Sequence, residues 1–383
     1  MEHIYLTYLE IGTGIYKSQV IDVVAKLNEL GAEKGYKIRL VALAPLRTYS
    51  KNKEWLKENA PDAIVLPAVP RIKNWKLNRM VLNFLFLMKG RPKTILARNI
   101  LAAHIAKGVK GAQVIFDGRG AIWKEAEEYN IFDQALSNEE VKRMETEAVH
   151  QSAFRLAVSN QLVAYWKKYL GYTQNNHVVV PCTLSTHHLD EAGGVTRKDL
   201  GWSDDSVVLV FSGSLAGWQS LDDLYNPLEA LLEKQHEACL MFLSKENELT
   251  QRLEQKFSGR VKRFWLDHKQ VFSYLSLADY GLLLRSPSIT NKVASPVKFA
   301  EYLSAGLQVL ISSDIGDFSE STQKEKLGHV LKSFDDLRAL NLTALNSSDR
   351  ERSRAFAAKY FNKSSEDVEA RFKQIVQFSL DSK

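Results

Sequence analysis

Short, uninterrupted apolar runs alternate with helix-length amphipathic stretches along this chain, in two separate series. A run such as IRLVALA has almost no polar face, so it reads as a strand covered on both sides. HIYLTYL near the N-terminus is β-branched and aromatic, and it also reads as a strand. Val20, Val24, Leu27 and Leu30 then recur at helical spacing; Ser18 can cap that helix, and Gly31 and Gly35 punctuate its end. Residues 63–66, 94–97 and 113–116 read as further strands. The second series opens near Ser206 with SVVLVFSG and continues through LMFLS, VKRFW, DYGLLLR and QVLIS. Helical stretches over 221–234, 246–256 and 298–305 lie between them. Such alternation predicts parallel sheets with helices on both faces.

The expected fold class is therefore α/β, with two doubly wound halves. A length of 383 residues suits two domains of ordinary size. Pro181 marks the linker, dividing a domain over 1–180 from one over 181–363. A last helix over about 364–380 opens with SSED, a capping residue followed by acidic first-turn residues, and could pack on either domain.

The net charge of +6 raises the expectation of an anionic partner, although lysine-rich solvated faces would give the same balance. No zinc finger, RNP-like string or heptad region speaks for nucleic acid. Two cysteines, Cys182 and Cys239, exclude a disulfide framework and suit a reducing compartment. The opening MEHIYLTYLEIGTG does not read as a signal peptide, and no apolar run approaches the roughly 20 residues that span a bilayer. A cytoplasmic protein is expected. Residues 71–93 combine Trp75, Leu82, Leu85 and Phe86 with Arg71, Lys73, Lys76, Arg79, Lys89, Arg91 and Lys93. Such a segment either lies on an anionic membrane, here the inner face of the cell membrane, or is a core helix with solvated lysines at its ends.

Three segments carry candidate chemistry. In EIGTGIYKS, Gly12 and Gly14 flank Thr13 just before a helix, where backbone N–H groups can meet a phosphate; a plain strand-to-helix turn would look the same. In VIFDGRG, Asp117 and Arg119 follow a buried strand, at the sheet edge where open α/β folds bind ligands; a solvated turn is the competing reading. The strongest signal is SPVKFAEYLSAGLQVLISSDIGDF. There Pro296 can open a helix whose free N–H groups, from Ser295 through Pro296, Val297 and Lys298, suit a diphosphate. Glu301, within that helix, can accept both hydroxyls of a ribose or be an ordinary exposed residue.

These pieces, in this order, resemble the retaining glycosyltransferases of the GT-B fold, the large family four. ETEAVHQSAFRLAVSNQLVAYWKKYLG, VVVPCTLSTHHL, VLVFSGSLAGWQSLDDL, VFSYLSLADYGLLLR and SPVKFAEYLSAGLQVLISSDIGD carry the resemblance over nearly the whole chain. It implies two Rossmann-like domains facing across a cleft, the first for the acceptor and the second for the nucleotide sugar. It implies that Glu301 holds the ribose and that Ser295 to Lys298 meet the diphosphate. Gly12, Thr13 and Gly14 would face the diphosphate or the transferred sugar, Gly213 and Ser214 would open the donor domain, and Arg98 and Ser159 would line the cleft. Asp117 and Arg119 would contact sugar or acceptor, with Gly14 beside the reacting centre.

The sequence departs from the family pattern at three places. Val293 stands where the first glutamate of the family's E-x7-E element is expected. Ser214 and Trp218 stand where many members carry Arg and Lys, leaving Arg285, Lys292 and Lys298 to neutralise phosphate. Arg119 replaces a frequent histidine. The function implied is transfer of a sugar from a nucleoside diphosphate, UDP by default, to a saccharide or lipid-linked saccharide in surface glycan synthesis, with no cofactor and no metal. Two alternatives stand beside it: a glycosyltransferase-like binding or scaffold protein without turnover, and a sugar-nucleotide epimerase of similar fold.

Overall fold

A computed structural model describes residues 2–12, 14–133, 135–184, 194–214, 219–220 and 222–382; Thr13 and Trp218 lie outside these. The chain divides into two compact units, residues 1–185 with 363–383, and residues 186–362.

The first unit is built on seven strands: β1 (His3–Tyr8), β2 (Ile38–Pro45), β3 (Ile64–Ala68), β4 (Thr94–Arg98), β5 (Gln113–Gly118), β6 (Phe154–Ala157) and β7 (His177–Val179). They pair in the order β3-β2-β1-β4-β5-β6-β7, and every pair is parallel. The second unit has six strands: β8 (Val207–Ser212), β9 (Ala238–Leu243), β10 (Val261–Phe264), β11 (Tyr280–Leu283), β12 (Gln308–Ser312) and β13 (Gly328–Leu331). Their order is β10-β9-β8-β11-β12-β13, again parallel throughout. The α/β architecture with two Rossmann-like sheets is thus as the sequence pattern predicts. β1, β8 and β9 are buried at every position, which is why their sequences read as continuous apolar runs.

In each sheet the winding reverses once, between β1 and β4 in the first and between β8 and β11 in the second. At such a point the two connecting loops diverge to opposite faces and leave a crevice at the carboxyl ends of the strands.

Several boundaries differ from the sequence reading for identifiable reasons. β3 runs through Pro67, which an edge strand tolerates because its outer N–H needs no partner. Ser18 is not a helix cap: it lies inside a π-turn, Lys17–Ile21, that precedes the helix Asp22–Gly31, and its hydroxyl donates to the Ile15 carbonyl at 3.2 Å. That turn buries Gln19 beneath the sheet edge. The helix expected from 246 starts instead at Glu248, because Asn247 accepts the Thr250 N–H at 2.9 Å and Thr250 accepts the Asn247 N–H at 3.1 Å. β13 is a further strand, whose sequence GHVL is too short to signal itself in the pattern.

The segment 71–93 forms a 3₁₀ turn, Ile72–Leu77, and a helix, Asn78–Lys89. Trp75, Leu82, Leu85 and Phe86 are buried in the unit, so these four are core residues and not a membrane face.

The last helix, Glu366–Asp381, is capped by Ser365 and packs on the first unit. Val368, Phe372, Ile375 and Val376 join the cluster that holds Val20, Leu27, Ile38 and Leu40. At roughly 1.5–3 kcal/mol for each fully buried apolar side chain, these four secure the helix. Lys26 to Glu369 at 3.0 Å and Arg371 to the Val179 carbonyl at 3.1 Å fix its register.

Candidate functional site

The first unit gathers its polar residues at the carboxyl ends of β1, β4 and β5. The register places Arg98 opposite Asp117 on neighbouring strands. Asp117 is only 1 % exposed, so its charge must be met inside the protein. Tyr5 donates to its Oδ2 at 2.5 Å, Arg98 approaches the same oxygen at 3.5 Å, and Arg119 reaches Oδ1 at 3.3 Å. Burial and the Asp117 charge hold the Tyr5 hydroxyl well above the usual phenol range, so Tyr5 remains a donor. Arg98 also donates to Glu10 at 2.5 Å, and Asn99 donates to the other Glu10 oxygen at 2.7 Å. Burial works against the Arg98 charge, but Glu10, Tyr5 and Asp117 outweigh it and raise its pKa. Arg119 turns to Gln19 at 2.9 Å, and Gln19 donates to the Thr183 carbonyl at 2.6 Å. The cavity beneath Asp117 and Arg119 has a volume of about 10 Å³, about one water and no substrate.

The loop carrying Gly12 and Gly14 follows β1 on this edge, and both glycines are exposed. Ser159 caps the helix Asn160–Leu170, its Oγ accepting the Leu162 N–H at 3.0 Å. Near the end of β5 lie two carboxyls, Glu145 buried and Glu125 half-buried. Glu145 accepts from the Trp123 N–H at 2.8 Å and from Tyr165 at 3.2 Å, while its Oε1 has no hydrogen-bond partner. Burial pushes Glu145 up to about 8. Glu125, lying against the Gly120 backbone, is pushed up to about 7 by burial and then by Glu128.

In the second unit the ends of β8 and β11 flank the start of the helix Val297–Ser304. Lys298 stretches back across the edge to β8. Its ammonium sits 4.3 Å from the centre of the Phe211 ring and donates to Gln219 at 2.9 Å. Burial, then the neighbouring Arg285 charge, lowers its pKa well below the usual lysine range against the pull of Glu301. Gly213 makes this path possible: a Cβ there would collide with Cε and Nζ of Lys298, and its φ of +139° strains any other residue. Gly281 on β11 does the same for Tyr302, whose ring occupies the space a side chain would need. Tyr302 then accepts the Ser212 N–H at 2.9 Å and holds the end of β8.

Arg285 is buried; its N–H is taken by Ser312 at 2.8 Å, and its guanidinium donates to Asn291 at 3.2 Å. Glu301 is half-buried, one turn into the helix. Ser295 is buried, Pro296 is the N-cap, and Val297 and Lys298 are the first two helical residues, whose N–H groups helix geometry leaves without intrahelical partners. Ser214 is exposed at the end of β8. Lys292 stands apart, exposed and 3.6 Å from Asp314, and Val293 is buried. Among the described residues no group of three His, Cys, Asp or Glu is placed to hold a metal ion.

The sequence reading thus named Arg98, Asp117 and Arg119, and Gly213, Arg285, Lys298 and Glu301. It missed Tyr5, Glu10 and Gln19, and Gln219, Asn291 and Tyr302. Glu10, a polar residue two positions past a buried strand, carried a signal; Tyr5 and Tyr302 carried none, because tyrosines in apolar stretches look like core.

No protein-family model and no curated protein sequence matches the chain. Solved structures do match in fold. A glycosyltransferase from Rickettsia africae is 13% identical, with a TM-score of 0.70 and 100% of both chains covered. HepE from Anabaena, solved with UDP and glucose, is 13% identical, with a TM-score of 0.69 and 100% of both chains covered. A Listeria monocytogenes protein assigned as a UDP-N-acetylglucosamine 2-epimerase is 12% identical, with a TM-score of 0.59, covering 100% of this chain and 97% of that one. The two parallel sheets, their order and these full-length likenesses together give this chain the GT-B fold that glycosyltransferases share.

Proposed function

We propose that this protein is a glycosyltransferase that moves a sugar from a nucleoside diphosphate, UDP by default, to a saccharide or lipid-linked saccharide acceptor on the cytoplasmic side, with retention and without a metal. The observation that carries this reading is Lys298, a half-buried lysine held by an amide oxygen and an aromatic ring at a helix start, with the Arg285 charge nearby. Two cations side by side repel each other and favour an anion between them. A diphosphate supplies it, and the N–H groups of Val297 and Lys298 add two donors in the same place. Glu301 then accepts the ribose hydroxyls.

As the C1–O bond breaks, negative charge grows on the leaving diphosphate. Lys298, Arg285 and the helix N–H groups are already oriented and need no reorganisation to stabilise it. Asp117 acts here as a positioning residue, holding Arg119, Arg98 and Tyr5 in place. Arg119 and the Gly12–Gly14 loop are the groups of that edge that meet sugar or acceptor.

Thermal unfolding against UDP, GDP, ADP and CMP tests the reading. A ligand bound only by the folded protein at a hundred times its Kd adds ~2.7 kcal/mol. UDP is expected to raise the transition temperature in the wild type and not in Glu301→Ala; no shift with any nucleotide at millimolar concentration would reject the reading and favour a scaffold. The epimerase reading is favoured by the Listeria likeness and by the high-pKa carboxyls Glu125 and Glu145. It predicts sugar-nucleotide interconversion without acceptor-dependent release of UDP.

A further inference from the structure

The helix Asn78–Lys89 buries one face and leaves a second apolar face uncovered. Met80 is 71 % exposed, Phe84 65 %, Leu87 83 % and Met88 68 %, and Leu77, just before the helix, is 47 %. These are five of the ten large apolar side chains exposed among the described residues. Spacings of three, four, three and one put them on a single stripe. Isolated exposed apolar residues need no explanation, but a continuous stripe on one helix marks an interaction surface.

Charge identifies the partner. Residues 63–116 hold ten of the chain's 51 Lys and Arg and none of its 45 Asp and Glu. Without this stretch a chain of net charge +6 would be net negative. Four of the ten are paired: Arg79 donates twice to the His104 carbonyl, at 3.1 and 2.9 Å, Arg98 is held by Glu10, Lys107 lies 3.4 Å from Glu147 and Lys93 lies 3.5 Å from Glu2. Arg71, Lys73 and Lys76 are exposed before the stripe, and Lys89 and Arg91 are exposed after it. An apolar stripe with cations at both ends and no acid within the stretch is complementary to a surface of anionic headgroups over hydrocarbon. Nucleic acid would match the cations but not the stripe. At 12 residues, or about 18 Å, the helix is too short to cross a bilayer and suits lying in its interface.

We infer that Leu77, Met80, Phe84, Leu87 and Met88 insert into the headgroup region of an anionic membrane, with the flanking lysines and arginines on lipid phosphates. This inference rests on the reading of a lipid-linked acceptor. The helix carries the chain from β3 back to the parallel β4, so its first turn lies at the sheet edge that bears Arg98 and Asp117. Insertion of the stripe brings that edge to the lipid surface, where a lipid-linked saccharide presents its hydroxyls.

Co-sedimentation of the full chain with vesicles tests the inference. Wild type is expected to pellet with phosphatidylglycerol-containing vesicles, weakly with pure phosphatidylcholine, and less as salt rises. Phe84→Gln with Leu87→Gln, both exposed sites, is expected to lower vesicle binding at least tenfold while leaving thermal unfolding and the UDP-induced shift unchanged. Lys73→Gln with Lys76→Gln and Lys89→Gln is expected to abolish the preference for anionic lipid. Wild type remaining in the supernatant, or the Phe84/Leu87 variant pelleting like wild type, overturns the proposal. So does self-association of the wild type without vesicle binding, lost in that variant, which assigns the stripe to a second copy. The UDP shift is read on the same samples, so loss of vesicle binding with the shift intact sinks only the membrane inference.

Discussion

The two sheet edges carry the same kinds of side chain with different neighbours: carboxylates around the arginines of one, and amide oxygens and another cation around the lysine of the other. At the end of β4 and β5, two arginines meet two carboxylates, and each Asp117 oxygen is approached by a donor. At the end of β8 and β11, Lys298 and Arg285 meet amide oxygens and repel each other, with the half-buried Glu301 acting in the other direction on Lys298. A balanced network holds shape and has little to gain from a ligand. Like charges set side by side repel each other, and an anion relieves that repulsion. The difference teaches that what surrounds a charge, opposite charge or like charge, decides whether it can only hold shape or could also favour an anion.

The sharpest way to break the comparison is to remove one charge from each side. Asp117→Ala should cost about 3–5 kcal/mol in urea unfolding, because Arg98, Arg119 and Tyr5 lose a shared partner. It should leave UDP affinity unchanged if the first edge only holds shape.

The next largest effect is in pH. Folded Glu145 and Glu125, with pKa values near 8 and 7, keep protons that the unfolded chain releases above about 4.5. Their stabilisation is therefore full below about 4.5 and is lost as pH rises through 7 to 8. Thermal unfolding between pH 5 and 8.5 should show a decline on the order of 2–4 kcal/mol, and Glu145→Gln should flatten most of it.

Lys298→Met should lower UDP affinity by about 1.5–3 kcal/mol in calorimetric titration, the worth of a hydrogen bond to a charged group. Its stability without ligand should hold or rise, opposite in sign to Asp117→Ala, since the repulsion between Lys298 and Arg285 has gone. A fall in stability with UDP affinity intact would make Lys298 structural and erase the contrast. Gly213→Ala should cost about 1–2 kcal/mol of stability through its positive φ and displace the lysine, so its nucleotide shift should resemble that of the lysine variant.

Legibility followed the range of the interactions. Gly213 and Glu301 could be singled out because a strand-end glycine and a helix-borne carboxylate are local patterns. Tyr5, Gln19 and Gln219 could not, because their roles depend on partners distant in sequence: Tyr5 meets Asp117, Gln19 meets Thr183, and Gln219 meets Lys298. The apolar residues of 71–93 show the same limit from the other side. Their composition announced an amphipathic helix, but which face was core depended on what the helix packed against.

By itself the sequence determined the two parallel sheets, since a strand buried on both faces must be apolar throughout and a parallel return needs a helix. It also determined the excess of positive charge and its concentration in one stretch. Only the tertiary structure decided which cations are neutralised, which carboxyls keep their protons and which apolar stripe faces outward. These depend on the distances and dielectric around each group, which exist only after segments far apart in the chain have come together.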